Sequence, residues 1–316
     1  MENASLDYKL ILENCGVGSK PLLVVLENLS HLEEFYNKEE LIDIYDYCLM
    51  SIKDSTILQH IIKLSDCYRA DSTLNILLNL LTLKNISDDD AENLINVRAL
   101  CAKAIANYKN SSTVTTLLNC MQNKNEHYRV RLACADALGK IGDKYAVQPL
   151  INIVEDEDEK SIYLKESATS ALGLLGDTNA IDPLISILEA KQGLLDKFSF
   201  LKEKIVEALG NLNYNNKKVI KALKSSLMDS SPMVRINAIE AIMNSGDDDS
   251  VILISKCLND EDDEVKKNAL IALYNLQGRD ILDKIIELPI YSEFLKHEAQ
   301  ELINEYENGD SIGEDI

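Results

Sequence analysis

Apolar and small residues recur along most of this chain at offsets 0, 4, 7, 8 and 11 from a Val/Leu–basic dipeptide. The dipeptides are Val97-Arg98, Val130-Arg131, Leu164-Lys165, Leu201-Lys202, Val234-Arg235 and Val265-Lys266, spaced 33, 34, 37, 33 and 31 residues apart. In the second block the apolar positions are Val130, Cys134, Ala137, Leu138 and Ile141; in the third they are Leu164, Ala168, Ala171, Leu172 and Leu175. The fifth departs at its last position, Ser245. That spacing traces one face of an α-helix, here called helix A, and the alanine at offset 7 lets a neighbouring helix come close. Helix A should stop at Gly142-Asp143, Gly176-Asp177 and Gly246-Asp247, where glycine is free to take the left-handed cap. A helix B then begins with proline in its first turn, as in Gln148-Pro149-Leu150-Ile151 and Asp182-Pro183-Leu184-Ile185. Start signals for the next helix A follow. Ser231-Pro232 places an N-cap serine before an N1 proline, and Asp89 with Glu92 has capping-box spacing.

One helical pair of this length is too small to bury its own apolar face, so neighbours must stack. The expectation is an all-α protein, a right-handed α-solenoid of about eight helical pairs. The strings VRLACADALGKIGDKYAVQPL and LKESATSALGLLGDTNAIDPL resemble HEAT-like repeats of the phycobilisome-lyase type. The matching features are the V-R start, the A-L-G centre, the G-D turn and the A-x-x-P-L opening of helix B. Regular repeats are expected over 94–290, diluted in the fourth block, where Leu212-Asn213-Tyr214 replaces the G-D turn. Residues 1–93 lack these marks, yet Leu41–Met50, Ile57–Leu64 and Leu74–Leu81 carry helical spacing, as degenerate pairs capping the array would. A closing helix over 291–307 and a frayed acidic tail over 308–316 complete the plan. The resemblance implies a repeat and leaves the activity open, since such repeats serve lyase subunits, assembly factors and scaffolds alike.

Charge narrows the partners. The 53 acidic and 32 basic residues leave a net charge of -21, which argues against nucleic acid and against anionic membrane surfaces. The N-terminal residues lack the basic and apolar regions of a signal peptide, and no stretch reaches the roughly 20 apolar residues of a membrane span. A cytoplasmic protein is expected. None of the seven cysteines forms a C-x-x-C pair, and Cys101 and Cys134 sit at the small core position of offset 4.

Catalytic signatures are sparse. The four histidines, His31, His60, His127 and His297, are far apart, and there is neither a Gly-rich phosphate loop nor a G-x-S-x-G motif. Deoxyhypusine hydroxylases, built from similar pairs, hold iron with several His-Glu pairs; only His297-Glu298 appears here. The chain is therefore expected to be no enzyme and to need no metal or cofactor. The basic residues at offset 1, Arg98, Arg131 and Arg235 among them, are expected to form a structural ladder along the stack, bonding to helix-end carbonyls of adjacent repeats or to loop aspartates, for which Asp143, Asp177 and Asp247 stand at a constant repeat position. One stretch reverses the prevailing sign. Lys217, Lys221 and Lys224 share a face of helix B, and the longest connection beside them, KQGLLDKFSF, supplies Leu194, Leu195, Phe198 and Phe200. Together they form the candidate contact site for another protein with an acidic and apolar segment. A protein-binding scaffold or assembly factor is the leading expectation. The alternative is a lyase-type or chaperone subunit acting on a protein-bound tetrapyrrole or other cofactor, which would require a ligand-sized pocket.

Overall fold

The computed structural model describes residues 6–83, 91–189, 199–212, 216–246 and 249–309. Within them the fold is all-α, a repeat solenoid of helical pairs. A first helix, α1 (Tyr8–Cys15), precedes the pairs α2 (Leu22–Ser30) with α3 (Lys38–Ser51), and α4 (Ser55–Ser65) with α5 (Asp71–Thr82). Next come α6 (Ala91–Asn107) with α7 (Val114–Gln122), α8 (Tyr128–Ile141) with α9 (Val147–Glu155), and α10 (Ile162–Leu175) with α11 (Ile181–Glu189). The last pairs are α12 (Ser199–Asn211) with α13 (Lys217–Ser226), α14 (Pro232–Met243) with α15 (Ser250–Cys257), and α16 (Asp263–Gln277) with α17 (Asp280–Glu287). A final helix, α18 (Glu293–Gly309), follows them.

The chain divides into two compact units, Met1–Ala171 and Leu172–Ile316. In the first, α2, α4, α6 and α8 pack one on the next, while α1, α3 and α5 form the adjoining layer. Residues ahead of the first clear repeat thus pack on α6 in the same way that α6 packs on α8. In the second unit, α12, α14, α16 and α18 form the continuous series, with α13 and α15 both seated against α14.

The apolar offsets are the core. Val130, Cys134, Ala137 and Leu138 of α8 and Val234, Ala238, Ala241 and Ile242 of α14 are all buried. Small residues set how closely helices A approach. A methyl group at Gly210 would lie 2.8 Å from Cβ of Ala241, so α12 and α14 touch almost backbone to backbone there. Gly142 ends α8 with φ +81°, the left-handed conformation its G-D mark predicts.

One start signal comes out differently. Pro232 does occupy the first turn of α14, but Ser231 makes no capping bond; its hydroxyl instead lies 3.3 Å from a Glu203 carboxylate oxygen. The Asp89 signal lies outside the described residues. A complete capping box appears instead at α3, where Asn37 Oδ1 accepts from the Glu40 N–H and the Glu40 carboxylate accepts from the Asn37 N–H.

Candidate functional site

From α8 onward each helix A begins two residues ahead of its Val/Leu–basic dipeptide, which places the basic residue of offset 1 at the end of the first turn; α6 begins six residues ahead of Val97, so Arg98 stands in its third turn. The arginines there are buried, at 8% exposure for Arg98, 4% for Arg131 and 5% for Arg235, and they turn toward the end of the preceding helix B. Arg98 Nε donates to the Leu81 carbonyl at 2.8 Å, and Arg131 Nε to the Met121 carbonyl at 2.8 Å. Arg235 Nη1 donates to the Asp229 carbonyl at 2.7 Å. Lys165 follows the pattern, its Nζ donating to the Val154 and Asp156 carbonyls at 2.9 and 2.6 Å. The Leu81, Met121 and Val154 carbonyls are orphan acceptors that a helix C-terminus leaves, and the Asp229 carbonyl belongs to the turn that follows α13.

The same cations then reach the acid ahead of the next helix A. Arg98 forks onto Glu126 at 2.9 and 2.5 Å, Lys202 meets Asp229 at 2.8 Å, and Arg235 forks onto Asp260 at 2.9 and 2.6 Å. Arg131 Nη2 lies 2.6 Å from Glu159 Oε2, an ion pair bent away from hydrogen-bond geometry. Each acid also accepts a backbone N–H at the coming helix start: Glu126 from His127, Glu159 from Ser161, Asp229 from Ser231 and Asp260 from Asp262. Burial alone would raise the Glu126 carboxyl. The Arg98 bonds and the His127 N–H outweigh it and hold the group below the usual range. Glu159 and Asp229 are likewise held low against burial, by Ser161 N–H with Arg131 and by Lys202 with Ser231 N–H.

This corrects the expected acids. Asp143 accepts the Tyr145 N–H at 2.9 Å and Asp177 the Asn179 N–H at 3.0 Å, each opening the short turn into helix B, and Asp247 lies outside the described residues. The G-D turn stands at the far end of helix A, about 20 Å from offset 1 in a helix of this length, beyond side-chain reach. The acids at four or five residues before each dipeptide recur just as regularly, and that spacing is the signal which finds them.

The lysine face of the fourth block is brought together only in part. Lys217 and Lys221 are exposed and form no ion pair among the described residues. Lys218 leans toward the preceding helix B, its Nζ 2.7 Å from Asp182, whereas Lys224 leans the other way, 3.5 Å from Asp249 at the start of α15. α13 carries four lysines and no acid, and two of them stand in its first turn, where they add to the positive helix pole. Phe200 belongs to the first turn of α12 rather than to a loop and is 68% exposed. Leu194, Leu195 and Phe198 lie outside the described residues. On α15, exposed Ile252 stands three residues beyond Asp249, hence on the same side.

Two open grooves flank α14. One, about 400 Å³, lies against α12 and is lined by Glu207, Asn211, Asn237, Glu240 and Asn244 over a floor of Gly210 and Ala241. The other, about 290 Å³, lies against α16 and takes Ile236, Ile239, Met243 and Ile271 with Asn268 and Asn275, sharing Glu240 with the first. The sequence reading missed both.

Among the described residues no three or more His, Cys, Asp and Glu side chains converge as a metal site, and no helix is long and apolar enough to cross a membrane. His60 is tied to Ser30 Oγ at 2.8 Å, and burial lowers its pKa. Burial also pushes the Cys48 thiol up to about 12, leaving it an inert core residue.

Fold and surface together define a helical-repeat protein whose polar features lie on open faces. HEAT repeats match residues 80–162 and 187–274, more than half of the sequence, and a PBS lyase HEAT-like repeat matches 164–190. The chain belongs to the HEAT-repeat family. No curated protein sequence matches it significantly. Among solved structures it is similar to Kap95p in complex with RanGDP (14% identity, 93% of this chain and 46% of that one, TM-score 0.59). It is also similar to Kap121p bound to Nup53p (13% identity, 94% and 37%, TM-score 0.50). A third is the CpcE–CpcF complex of phycocyanin lyase from Nostoc sp. PCC7120 (21% identity, 74% and 87%, TM-score 0.48). The chain spans less than half the length of the first two, and these likenesses are of fold.

Proposed function

We propose that this protein is a non-enzymatic scaffold or assembly factor that binds another protein, with α13 at the centre of the contact. One observation carries the reading: a helix with four lysines and no acid, two of the lysines exposed and without an ion pair among the described residues, in a chain of net charge -21. Such a face attracts an acidic partner segment, and Phe200 and Ile252, exposed on neighbouring helices, offer apolar contacts. Kap121p bound to Nup53p and to Pho4p gives precedents in which a related fold holds a protein. To test it, the tagged full-length protein is captured from its native cell beside the K217E/K221E variant. The captured partner should be lost from the variant while both proteins melt alike. Equal retention would remove α13 from the contact.

A second reading has its own support. The PBS lyase HEAT-like match over 164–190 favours a lyase-type or chaperone subunit that handles a protein-bound tetrapyrrole. Against it, the larger groove is lined by carboxylates and carboxamides, which suit a hydrophilic ligand better than bilin rings. Absorbance of a linear tetrapyrrole titrated with the protein separates the two readings: a shifted, saturable band favours the lyase-type subunit.

A further inference from the structure

We infer that the two grooves beside α14 form one docking surface for an extended polypeptide segment bearing a basic side chain three residues from an apolar one. This surface is separate from the lysine face of α13 and calls for the opposite charge.

The division of labour follows from the register of α14. Asn237, Ala241 and Asn244 stand at i, i+4 and i+7 and face α12, while Ile236, Ile239 and Met243 at i, i+3 and i+7 face α16. Glu240 stands on the ridge between and lines both grooves. The first groove is open because its floor is Gly210 against Ala241, which between them project nothing larger than one methyl group. Its rim presents acceptors. Glu240 is exposed and has no ion pair among the described residues. Among the described residues Glu207 pairs with Lys204 alone, at 2.7 Å across an exposed contact worth little in water. Asn237 donates its Nδ2 to the Glu203 carbonyl at 3.2 Å, which leaves Oδ1 to accept. Carboxylates beside carboxamide oxygens match a guanidinium, whose planar fork donates several bonds at once. In the second groove the apolar wall of Ile236, Ile239, Met243 and Ile271 suits an aliphatic side chain, and Asn268 and Asn275 at the rim suit its backbone.

Spacing sets the sequence of the ligand. Packed helices stand about 8–10 Å apart, and an extended chain in the polyproline II conformation advances about 3.1 Å per residue and returns a side chain to the same face every third residue. Side chains three positions apart therefore enter grooves on either side of one helix.

The test uses the full-length protein and labelled octapeptides of three kinds: Arg and Leu three positions apart in either order, the same composition with Arg and Leu adjacent, and Glu in place of Arg. A spaced Arg peptide should bind best, with an affinity that falls as salt rises. E240Q, a change at an exposed site that leaves the melting temperature alone, should weaken it about tenfold, the scale of one charge-assisted contact. I271S should weaken the same peptide and leave the Glu-bearing control unaffected. Equal binding of spaced and adjacent peptides, unchanged binding by E240Q, or no binding at millimolar peptide would each overturn the inference. The K217E/K221E variant should bind the spaced peptide as the parent does, so failure here and failure of the α13 reading are told apart.

Discussion

Arg235 shows how much structure one side chain carries in this repeat. It satisfies the Asp229 carbonyl in the turn after α13, forks onto Asp260 ahead of α16, and is 5% exposed. Arg235→Met keeps the apolar stem but strands a nearly buried carboxylate, and should cost roughly 3–5 kcal/mol, the range for breaking one side of a buried pair. Adding Asp260→Asn should recover part of that loss, because an amide leaves no unpaired charge behind. Urea melts of the single and double variants decide it; a double variant no more stable than the single would show that the pair is not the source. The acids give the same interaction a pH signature. Glu126, Glu159 and Asp229 have folded-state pKa values below their unfolded ones. Their stabilisation is thus complete above the unfolded range of roughly 3.9–4.3 and is lost as pH falls through the folded values. Denaturant midpoints should hold steady from pH 7 to about 5 in respect of these groups and drop below about pH 4. Glu159→Gln should make that drop shallower.

At the scale of the element, close approach of helices A is the controlling feature. Gly210→Ala gains about 1 kcal/mol of helix propensity, but its methyl would meet the Ala241 methyl carbon at 2.8 Å. Forcing two packed helices apart costs about 1–3 kcal/mol, so the variant should be net destabilised and melt lower by calorimetry. A higher melting temperature would mean that α12 and α14 slide apart freely. The helices themselves are legible in the sequence, because a 3.6-residue period with small residues at fixed offsets has one physical solution. The ladder is half legible. The basic residue stands out by adjacency to Val or Leu, whereas its acid lies in the next repeat and shares the turn with decoys such as Asp156, Asp158 and Asp262. The contact site is least legible. Spacing puts Lys217, Lys221 and Lys224 on one face but does not say that Lys224 is spent on Asp249. The grooves leave no linear motif at all, because each is built from two helices A a whole repeat apart.

For the molecule as a whole, two consequences follow from a stacked array with 53 acids against 32 basic residues. Like charge repels itself, and salt screens exposed charges far more than buried pairs. Raising ionic strength from about 0.01 to 0.15 M, where the screening length falls from about 30 to 8 Å, should therefore raise the melting temperature. A fall would mean that exposed ion pairs outweigh the self-repulsion. The second consequence concerns what can fold alone. Helices A rest on their neighbours: α8 on α6 and α7 before it, and α14 between α12 and α16 with α13 and α15. Cutting the chain to Val130–Leu188 removes α6 and α7 and bares Val130, Ala133 and Leu138, all 0% exposed in the full chain. It also strips the Met121 carbonyl from Arg131. The cavity of missing neighbours cannot close, because the exposed face is a flat helical surface made to receive another. That fragment should be largely unfolded by circular dichroism, or aggregated by size-exclusion chromatography, at concentrations where the full chain is folded. A monomeric, cooperatively melting fragment of this length would show that a single pair-of-pairs is already a folding unit, and would remove the case for the array as the source of stability.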